Sequence, residues 1–595
     1  MIFGKYVNKF YLKYWYHFVF GIIFLVVIDL AALYVPDYLG NVVSIFSNPD
    51  RANDLATFWT GDMSDVNSYA HFIMSLVVIG AVIFTGRIGW RLAINNLGVR
   101  VETDLRSMLF EHAEKLSVTY YNNQKTGALM SYFNNDLEAI KNSFTEGVIF
   151  LIDGVVLGSL AIIKLFQLNW KLALVAVVPL LLVGMAGGII GKAISKKYDK
   201  QLSAFEKMSD FSQENFSGIA VVKAFVREGH QMLEFAKHNK RSEDTNIAYI
   251  KLGIMLETII DMLIYVVLII IFLGGGYLAI YDPVFDVGNL TEFIGYFDLL
   301  IWPMIALAYL INIISEARAA LKKISVFLDA PIDLKDVEVA NDKEPAPITG
   351  DICFNGLNFL YPDGKNRVLS NINLHIHAGE NIGIVGRTGS GKSTLVKVLL
   401  KIYNIDRGMI LFDGKDINDI PAKVLRDNIG YVAQNAFLFS DLVSKNISFG
   451  KPNITPEEIT QAASFACIDG SIRQFKDGYR TLVGEKGTTL SGGQRQRIAM
   501  ARAVVKDPTI LILDDSVSAV DSETEIKILE NIRRLRKNKS TFIVSSRISS
   551  IQSLDHIIVM DKGQIIGYGT HAELMKTCEL YKFIVKAQEL EEEEK

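Results

Sequence analysis

The sequence predicts an α-helical membrane domain, with six transmembrane helices and long cytoplasmic extensions, fused to a soluble α/β domain that carries a phosphate-binding loop. Three observations predict this fold class. Half of the 595 residues are hydrophobic, and the mean hydropathy of +0.26 is high for a soluble protein. Six apolar stretches in the first half are each long enough to span a bilayer. In the second half, a glycine-rich turn joins a β-branched apolar run to a segment of helical periodicity.

The membrane domain is predicted from apolar length and from the distribution of basic residues. Its six spans have approximate limits 16–39, 71–97, 146–167, 171–192, 257–281 and 292–315. Lys and Arg are concentrated in the connections 98–145 and 193–256, whereas the other connections contain one basic residue, Arg51. The positive-inside rule therefore places these two connections and both termini in the cytoplasm of a multi-pass protein of the plasma (inner) membrane. Residues 1–15 mix lysine with aromatic residues, which predicts an interfacial helix.

Acidic residues lie inside four of the apolar stretches. Among them are Asp29, Asp153, Asp261 and Asp298. Because a charge in lipid is costly, such residues usually face a bundle interior or a watery cavity, which predicts a site for cationic amphiphiles or protons. The alternative is an acid near a span end that is hydrated or paired with a helix cap. Asp29 is nearest the middle of its span, and Asp298 shares a helical face with Trp302, so these three residues are the substrate-site candidates.

The glycine-rich turn has the context of a phosphate-binding loop. The run NIGIV (381–385) predicts a strand, and TLVKVLLKIY (394–403) predicts a helix. Glycines allow the backbone to approach a phosphate chain at a helix N-terminus. Lys392 would reach the β- and γ-phosphates of a nucleotide, and Ser393 would coordinate Mg²⁺. The candidate nucleotide-binding residues in this loop are Gly386, Thr388, Gly389, Ser390, Gly391, Lys392, Ser393 and Thr394.

Two further segments of the second half fit the same chemistry. The run TILILDD (509–515) predicts a buried strand that ends in two carboxylates, of which Asp514 would position Mg²⁺ through water and Asp515 would sit beside the attacking water. The segment 488–503 places Ser491, Gly492, Gly493 and Gln494 ahead of a basic helical stretch, which suits phosphate binding at a helix N-terminus. Tyr361 is a candidate to stack on a nucleotide base, although an aromatic residue alone is a weak signal.

Charge and cysteine content exclude other classes. The net charge of −4 argues against a nucleic-acid partner. Cys353, Cys467 and Cys578 lack the spacing of metal ligands, so we expect reduced, buried thiols.

The order of the motifs GRTGSGKS, YVAQNAFLFS, LSGGQ, ILILDD and SAVD is similar to that of the ATP-binding-cassette (ABC) family. Six spans ahead of one such cassette resemble a half-transporter of the type IV exporter class. The segments 126–140 and 214–228 look like the cytoplasmic loop regions of that class. The resemblance therefore covers nearly the whole chain, and it identifies the α/β domain as a P-loop ATPase.

The resemblance implies a role for each matching residue. Tyr361 would stack on adenine, Gln434 would touch Mg²⁺ and the membrane-domain coupling helices, and Asp521 would be the acid of the D-loop. Gly386 to Ser393 would be the Walker A loop, Leu490 to Gln494 the signature motif, and Asp514 the Walker B aspartate. In this family two cassettes meet head to tail, so that each ATP lies between the Walker A loop of one and the signature of the other.

Two positions depart from the family pattern. Asp515 stands where the family has the catalytic glutamate, and Ser546 stands where it has the switch histidine. A carboxylate displaced by about an ångström can cost about a hundredfold in rate. Serine cannot supply a cationic donor to the γ-phosphate. The alternative is benign drift with activity kept, because aspartate can also act as a base.

These departures predict one half of a heterodimeric exporter. Its own ATP site, with Asp515 and Ser546, would be degenerate, and its LSGGQ would complete the competent site of a homologous half that carries the Walker B Glu and the switch His. ATP and Mg²⁺ are the expected cofactors, and a small amphipathic molecule is the expected substrate. Three alternatives stay open: a homodimeric lipid or drug flippase, a type IV importer of a metal chelate, and an ATP-gated channel or regulatory subunit.

The expected domain boundaries follow from these assignments. The transmembrane domain, including the interfacial helix, covers 1–326. A charged, proline-containing linker covers 327–348, the nucleotide-binding domain 349–590, and an acidic tail 591–595.

Overall fold

The computed structural model describes the chain in segments. They are residues 3–47, 66–124, 126–282, 284–334, 336–337, 348–484, 487, 489–517 and 520–593, without the side chains of 66–72, 126, 128, 180–192, 195 and 591–593. Residues 48–65 of the connection that contains Arg51, half of the expected linker and the last two residues of the acidic tail lie outside these segments. The chain forms two compact units. Unit 1 comprises Met1–Glu114 and Thr126–Ala330, and unit 2 comprises Lys115–Lys125 and Pro331–Lys595.

The described secondary structure of unit 1 consists of helices, as expected for a membrane domain. The helices of this half of the chain, with α4 belonging to unit 2, are α1 (Asn8–Lys13), α2 (Trp15–Ser47), α3 (Val66–Lys115), α4 (Val118–Asn122), α5 (Thr126–Ser131), α6 (Leu137–Phe144), α7 (Glu146–Ile152), α8 (Gly158–Leu168), α9 (Trp170–Ser217), α10 (Ile219–Ala224), α11 (Glu228–Tyr281) and α12 (Val287–Leu328). Helices α9 and α11 contain 48 and 54 residues. Because about 20 residues span a bilayer, the predicted extensions of the helices beyond the membrane are confirmed.

Five helical segments are long and apolar enough to cross a membrane among the described residues. They are Trp15–Ser47, Ile73–Lys115, Leu129–Leu168, Glu228–Tyr281 and Val287–Leu328. The predicted span 171–192 falls in α9, of which Trp170–Pro179 is apolar and the side chains of 180–192 are not described. The segment Leu129–Leu168 is interrupted by two π-helical turns, Tyr132–Asp136 and Asp153–Leu157.

Local sequence explains where the spans begin and how closely they pack. Asn169 accepts hydrogen bonds from the backbone N–H groups of Lys171 and Leu172, both at 3.1 Å, and so starts α9 directly after α8. Asp286 and Asn289 form a reciprocal capping box that starts α12. A Cβ atom at Gly288 would lie 2.2 Å from the carbonyl oxygen of Gly40, so only glycine permits this contact between α12 and α2.

The N-terminal segment is attached to the helices of unit 1. Val7 and Phe10 are buried. Tyr14 donates a hydrogen bond of 2.9 Å to Asp104 of α3, and Lys5 pairs with Asp329 at the end of α12 at 2.7 Å. The predicted interfacial helix is therefore reduced to the six residues of α1, and these contacts hold it against the bundle.

Unit 2 contains two β-sheets. Its strands are β1 (Ile352–Phe359), β2 (Leu369–Ile376), β3 (Asn381–Gly386), β4 (Ile410–Phe412), β5 (Lys415–Asp416), β6 (Ile429–Val432), β7 (Ile510–Asp514), β8 (Ser540–Val544), β9 (His556–Asp561) and β10 (Gln564–Gly569). The larger sheet has the order β10-β9-β3-β8-β7-β6, parallel except at β10, and the smaller antiparallel sheet has the order β2-β1-β4-β5. Strand β3 therefore lies inside the parallel sheet.

Nine α-helices of the described part of unit 2 follow β3 in the chain. They are α13 (Lys392–Leu399), α14 (Ala422–Asn428), α15 (Val443–Ser448), α16 (Pro456–Phe465), α17 (Asp469–Gln474), α18 (Gly492–Val504), α19 (Ser522–Leu535), α20 (His571–Thr577) and α21 (Glu579–Glu593). Strand β7 is buried at every position, as the run before the two carboxylates predicts. All three thiols are free, but only Cys578 is buried. The prediction of buried thiols is therefore wrong for Cys353 and Cys467, which are partly exposed.

Candidate nucleotide-binding site

The phosphate loop connects the central strand β3 to helix α13, as the sequence predicts. A Cβ atom at Gly386 would lie 2.1 Å from the carbonyl oxygen of Met560, so this position requires glycine. Gly391 has φ +101° and stands at the N-cap of α13, where no side chain caps the helix. The first N–H groups of α13 are therefore left for another acceptor, which is the arrangement that binds phosphate.

Lys392, the first residue of α13, folds back over the loop. Its ammonium group donates to the carbonyl oxygens of Gly386 at 2.8 Å and Arg387 at 3.0 Å. Burial lowers the pKa of Lys392, whereas the nearby charges of Asp515 and Asp514 act in the opposite direction. A half-buried ammonium held at the loop is suited to neutralising a phosphate.

Ser393 and Asp514 offer two oxygen atoms to a metal ion. The Ser393 hydroxyl donates to Oδ1 of Asp514 at 3.0 Å, and the Tyr431 hydroxyl donates to Oδ2 at 3.4 Å. Burial raises the pKa of Asp514, whose exposed fraction is 2%. The buried Ser390 hydroxyl has no hydrogen-bond partner among the described residues. Hard oxygen ligands of this kind fit Mg²⁺, and the unpartnered Ser390 hydroxyl fits a phosphate, so the loop is consistent with bound Mg²⁺ and ATP.

Asp515 and Gln434 meet beside this pair. Gln434 donates its side-chain amide to Oδ2 of Asp515 at 3.2 Å, and Gln496 of α18 donates to the carbonyl oxygen of Gln434. Asp515 has φ +49°, in the left-handed region. The structure thus brings together Gln434, Asp514 and Asp515 at the end of β7. Sequence reasoning missed Tyr431 and Gln496, although Tyr431 stands three residues before Gln434.

Ser546 follows β8 with its side chain exposed. Its carbonyl oxygen accepts a hydrogen bond of 2.6 Å from the side-chain amide of Gln588 in α21. The backbone N–H of Ile548 donates to the other end of the same amide at 2.8 Å. Gln588 therefore anchors residues 546–548, the switch segment, through the backbone of that segment. No sequence signal marks Gln588, because it is 42 residues from Ser546.

Tyr361 lies beside the first turn of α13. Its hydroxyl shares a hydrogen bond of 2.8 Å with the hydroxyl of Thr394. Its ring meets the rings of Phe359 and Tyr403 edge to face, at centroid distances of 5.1 and 5.2 Å. Tyr361 and Thr394, which are both predicted to bind the nucleotide, are therefore next to each other, and the aromatic cluster fixes the position of Tyr361.

The signature residues form the N-terminal cap of α18. Ser491 accepts from the N–H of Gln494 at 3.2 Å, and the Gln494 side chain accepts from the N–H of Ser491 at 2.9 Å. A Cβ atom at Gly492 would meet no atom of the described residues within 4 Å. Asp521 caps α19 in a similar way, since it accepts from the N–H of Thr524 at 2.9 Å. Ser518 and Ala519, which precede Asp521, lie outside the described residues.

The substrate candidates of unit 1 are Asp29, Asp298 and Trp302, and Trp302 contacts an acid on a neighbouring helical segment. The indole N–H of Trp302 donates to Oδ2 of Asp153 at 2.9 Å, and Phe150 contacts the indole edge to face at 5.9 Å. The acid that Trp302 contacts is therefore Asp153, and the expected patch of Asp298 and Trp302 stays a prediction. Asp298 is exposed. Asp29 is 4% exposed, and its Oδ2 has no hydrogen-bond partner among the described residues.

Comparison with known proteins gives matches over both units. The model of the ABC transporter transmembrane region matches residues 18–304, and the ABC transporter model matches residues 369–518. The chain is 33% identical over 588 residues to the "Probable multidrug resistance ABC transporter ATP-binding/permease protein YheI" of Bacillus subtilis (strain 168), with 98% of this chain and 97% of that protein covered. It is 31% identical over 583 residues to the "Multidrug resistance-like ATP-binding protein MdlA" of Escherichia coli (strain K12), with 97% and 95% covered.

A solved structure, that of a bacterial Atm1-family ABC exporter with ATP bound, matches 98% of this chain and 99% of its own with a TM-score of 0.78. The sequence identity of 22% means that this likeness shows a shared fold. The two family matches and the full-length relatives go further, because they agree with the order of the motifs and with the geometry around β3 and β7. The chain therefore belongs to the ATP-binding-cassette transporters and is an ATP-hydrolysing, multi-pass membrane transporter.

Proposed function

We propose that the chain is one half of a heterodimeric exporter that moves amphipathic, cationic molecules out across the plasma membrane, with both termini and unit 2 in the cytoplasm. The relatives YheI and MdlA are named for multidrug resistance, which supports drug-like substrates. The partner would be a homologous half that carries Glu and His at the positions of Asp515 and Ser546.

The observation that carries this proposal is the contrast within one ATP site. The groups that would grip the nucleotide and Mg²⁺ are close together, since Lys392 lies over the loop and Ser393 touches Asp514. The groups that would act on the attacking water and the γ-phosphate would be weaker than those of the family pattern. Asp515 is shorter than glutamate and accepts a hydrogen bond from Gln434, and Ser546 has no charge to offer.

The chain would use its own residues in two ways. In its own site, Lys392 and the amide groups at the start of α13 would bind the phosphates, and Ser393 and Asp514 would hold Mg²⁺, which supplies electrostatic stabilisation of the phosphate oxygens. In the partner's site, the N-terminus of α18, capped by Ser491 and Gln494, would face the partner's nucleotide. The first site would then hold ATP while the second turns over.

The fate of bound nucleotide tests the degenerate site. The full-length chain, purified alone in detergent, is loaded with radiolabelled ATP and Mg²⁺, and the bound nucleotide is identified over time. We expect retained ATP with little ADP, because binding is intact and hydrolysis is slow. Lys392→Ala is the matched control, which should lose the bound ATP. Rapid conversion to ADP by the unaltered chain would support the alternative of a homodimeric lipid or drug flippase.

The buried acids of unit 1 support the cationic substrate. One carboxylate oxygen of Asp29 has no partner in the part of the chain that the structure describes, and α2 packs against the π-helical turn that begins at Asp153. Inside-out vesicles that contain the complete transporter should accumulate a fluorescent lipophilic cation when ATP is added. Asp29→Asn should reduce this uptake but not the uptake of a neutral amphiphile. Efflux from these vesicles would indicate an importer.

A further inference from the structure

A second cluster of potential metal ligands lies on the small antiparallel sheet. Asp351 immediately precedes β1, and His375 and His377 lie at the end of β2. The two strands pair with Ile352 opposite Ile376 and Cys353 opposite His375. Because alternate residues of a strand share a face, the acid and the two histidines lie on the solvent side, whereas Ile352 and Ile376 are buried.

The three side chains converge. The imidazole Nε2 of His375 lies 2.9 Å from Oδ1 of Asp351, and Nδ1 of His377 lies 3.7 Å from Oδ2. The centroids of the two imidazole rings are 4.4 Å apart, and the three ligand atoms all lie within 4.8 Å of one another. A tetrahedral zinc site with ligands at about 2.0–2.1 Å separates those ligands by about 3.3 Å. The observed distances lie on either side of this value, so small side-chain rotations would complete the geometry.

We propose that Asp351, His375 and His377 form a surface site for a divalent transition-metal ion of the Zn²⁺ class, with a fourth position open to solvent. Imidazole nitrogen selects Zn²⁺, Ni²⁺ or Cu²⁺ over Mg²⁺ and Ca²⁺, which prefer sites made of oxygen alone. The ion would join the end of β2 to the start of β1 and so fasten the edge of the small sheet. This site is independent of the proposed export function.

An ordinary ion pair between Asp351 and His375 is the competing explanation. It would account for the contact of His375 at 2.9 Å and for a weaker one of His377 at 3.7 Å, but it does not require His377, whose side chain is 66% exposed. The two explanations differ in one measurable respect. Only the metal site requires both histidines.

The test is a Zn²⁺ titration of the full-length chain by calorimetry, in detergent, without ATP and without a polyhistidine tag. We expect the unaltered chain to bind one more equivalent of Zn²⁺ than the H375A/H377A variant. His377→Ala alone should weaken this binding about tenfold or more, since loss of even an outer-shell partner costs 10–100-fold. His230→Ala, which removes an exposed histidine of α11, is the matched control and should bind as the unaltered chain does.

Two further measurements keep the outcome decisive. ATP affinity should be equal in all these variants, which shows that unit 2 is folded. Co²⁺ in place of Zn²⁺ should give the strong visible absorption of tetrahedral coordination in the unaltered chain and lose it in H375A/H377A. Equal Zn²⁺ binding by the unaltered chain and H375A/H377A, or equal loss in His230→Ala, would overturn the proposal.

Discussion

Restoring the two altered residues should convert the site of this chain from retention of ATP to hydrolysis. Asp515 lies next to the metal-binding Asp514 and accepts a hydrogen bond of 3.2 Å from Gln434. Asp515→Glu extends the carboxylate by one methylene group toward the position of the attacking water. A displacement of about 1 Å is associated with about a hundredfold in rate, which corresponds to about 2.7 kcal/mol of activation free energy.

The replacement also has a cost in stability. Asp515 has φ +49°, and aspartate tolerates this left-handed conformation better than glutamate does. The penalty for a left-handed residue is about 1–2 kcal/mol, so Asp515→Glu should lower the free energy of unfolding by no more than this amount. The expected decrease in activation free energy, about 2.7 kcal/mol, is therefore larger than the expected decrease in the free energy of unfolding.

Ser546→His adds a second gain, because a donor that stabilises developing charge is worth about 10²–10³ in kcat. The two changes act on the same γ-phosphate, so their effects should not simply multiply. The assay is phosphate release by the purified full-length chain, with the affinity for ATP measured in parallel. We expect kcat to rise about a hundredfold in Asp515→Glu and further in the double variant, with ATP affinity unchanged.

Lys392→Ala added to the double variant is the control and should abolish the gained activity. Two results would refute the reasoning. One is an unaltered chain that already hydrolyses ATP as fast as the double variant does. The other is a double variant that gains no activity although it binds ATP and folds normally.

Four further predictions follow from individual contacts. Gly386→Ala places a Cβ atom 2.1 Å from the carbonyl oxygen of Met560, so the loop must shift and ATP affinity should fall more than tenfold. Gly389→Ala strains the backbone at φ +80° but meets no atom of the described residues within 4 Å, so it should keep more affinity; equal losses would contradict the steric argument. Gln588→Ala removes two hydrogen bonds to the switch segment and should destabilise unit 2 by about 1–3 kcal/mol in denaturant unfolding. Gln588→Glu should not restore this stability, because it turns a carboxylate oxygen toward the carbonyl oxygen of Ser546. Burial raises the pKa of Asp514, so the stability that this group contributes is present below its ordinary pKa and is lost as the pH rises through the raised pKa. Without Mg²⁺, Asp514→Asn should therefore raise the melting temperature at pH 7, and by less as the pH falls toward 4. A gain in melting temperature that grows at low pH would disprove this. Trp302→Phe removes the donor to Asp153 and should reduce ATP-dependent uptake of a lipophilic cation more than uptake of a neutral amphiphile, with Trp170→Phe, an exposed residue at the start of α9, as the control.

Much of the fold and of the ATP site could be predicted because the signals are local. Span length is read from consecutive apolar residues, and β3, the phosphate loop and α13 are contiguous in the chain. The contact of Ser393 with Asp514 joins residues 121 positions apart, yet it was expected, because the chemistry of Mg²⁺ requires both. Gln588 could not be found in this way, because its contribution is an amide directed at another segment's backbone and glutamine is common on exposed helices.

The spans of unit 1 illustrate the same division. The sequence placed Trp302 in a span and on a face with Asp298, since four residues make about one helical turn. The choice of Asp153 as its partner depends on how two helices pack, which periodicity does not encode. For the cysteines, the sequence showed that no pair has the spacing of metal ligands, but it did not show that two of the three would be partly exposed.

By itself the sequence determined the six apolar stretches, the order of the nucleotide-binding motifs and the two departures at Asp515 and Ser546, because each is a property of neighbouring residues. Only the tertiary structure decided that Gln588 holds the switch segment, that Trp302 bonds to Asp153, and that Asp351 meets His375 and His377. These contacts join residues distant in sequence, and they form only when buried apolar faces bring the elements that carry them together.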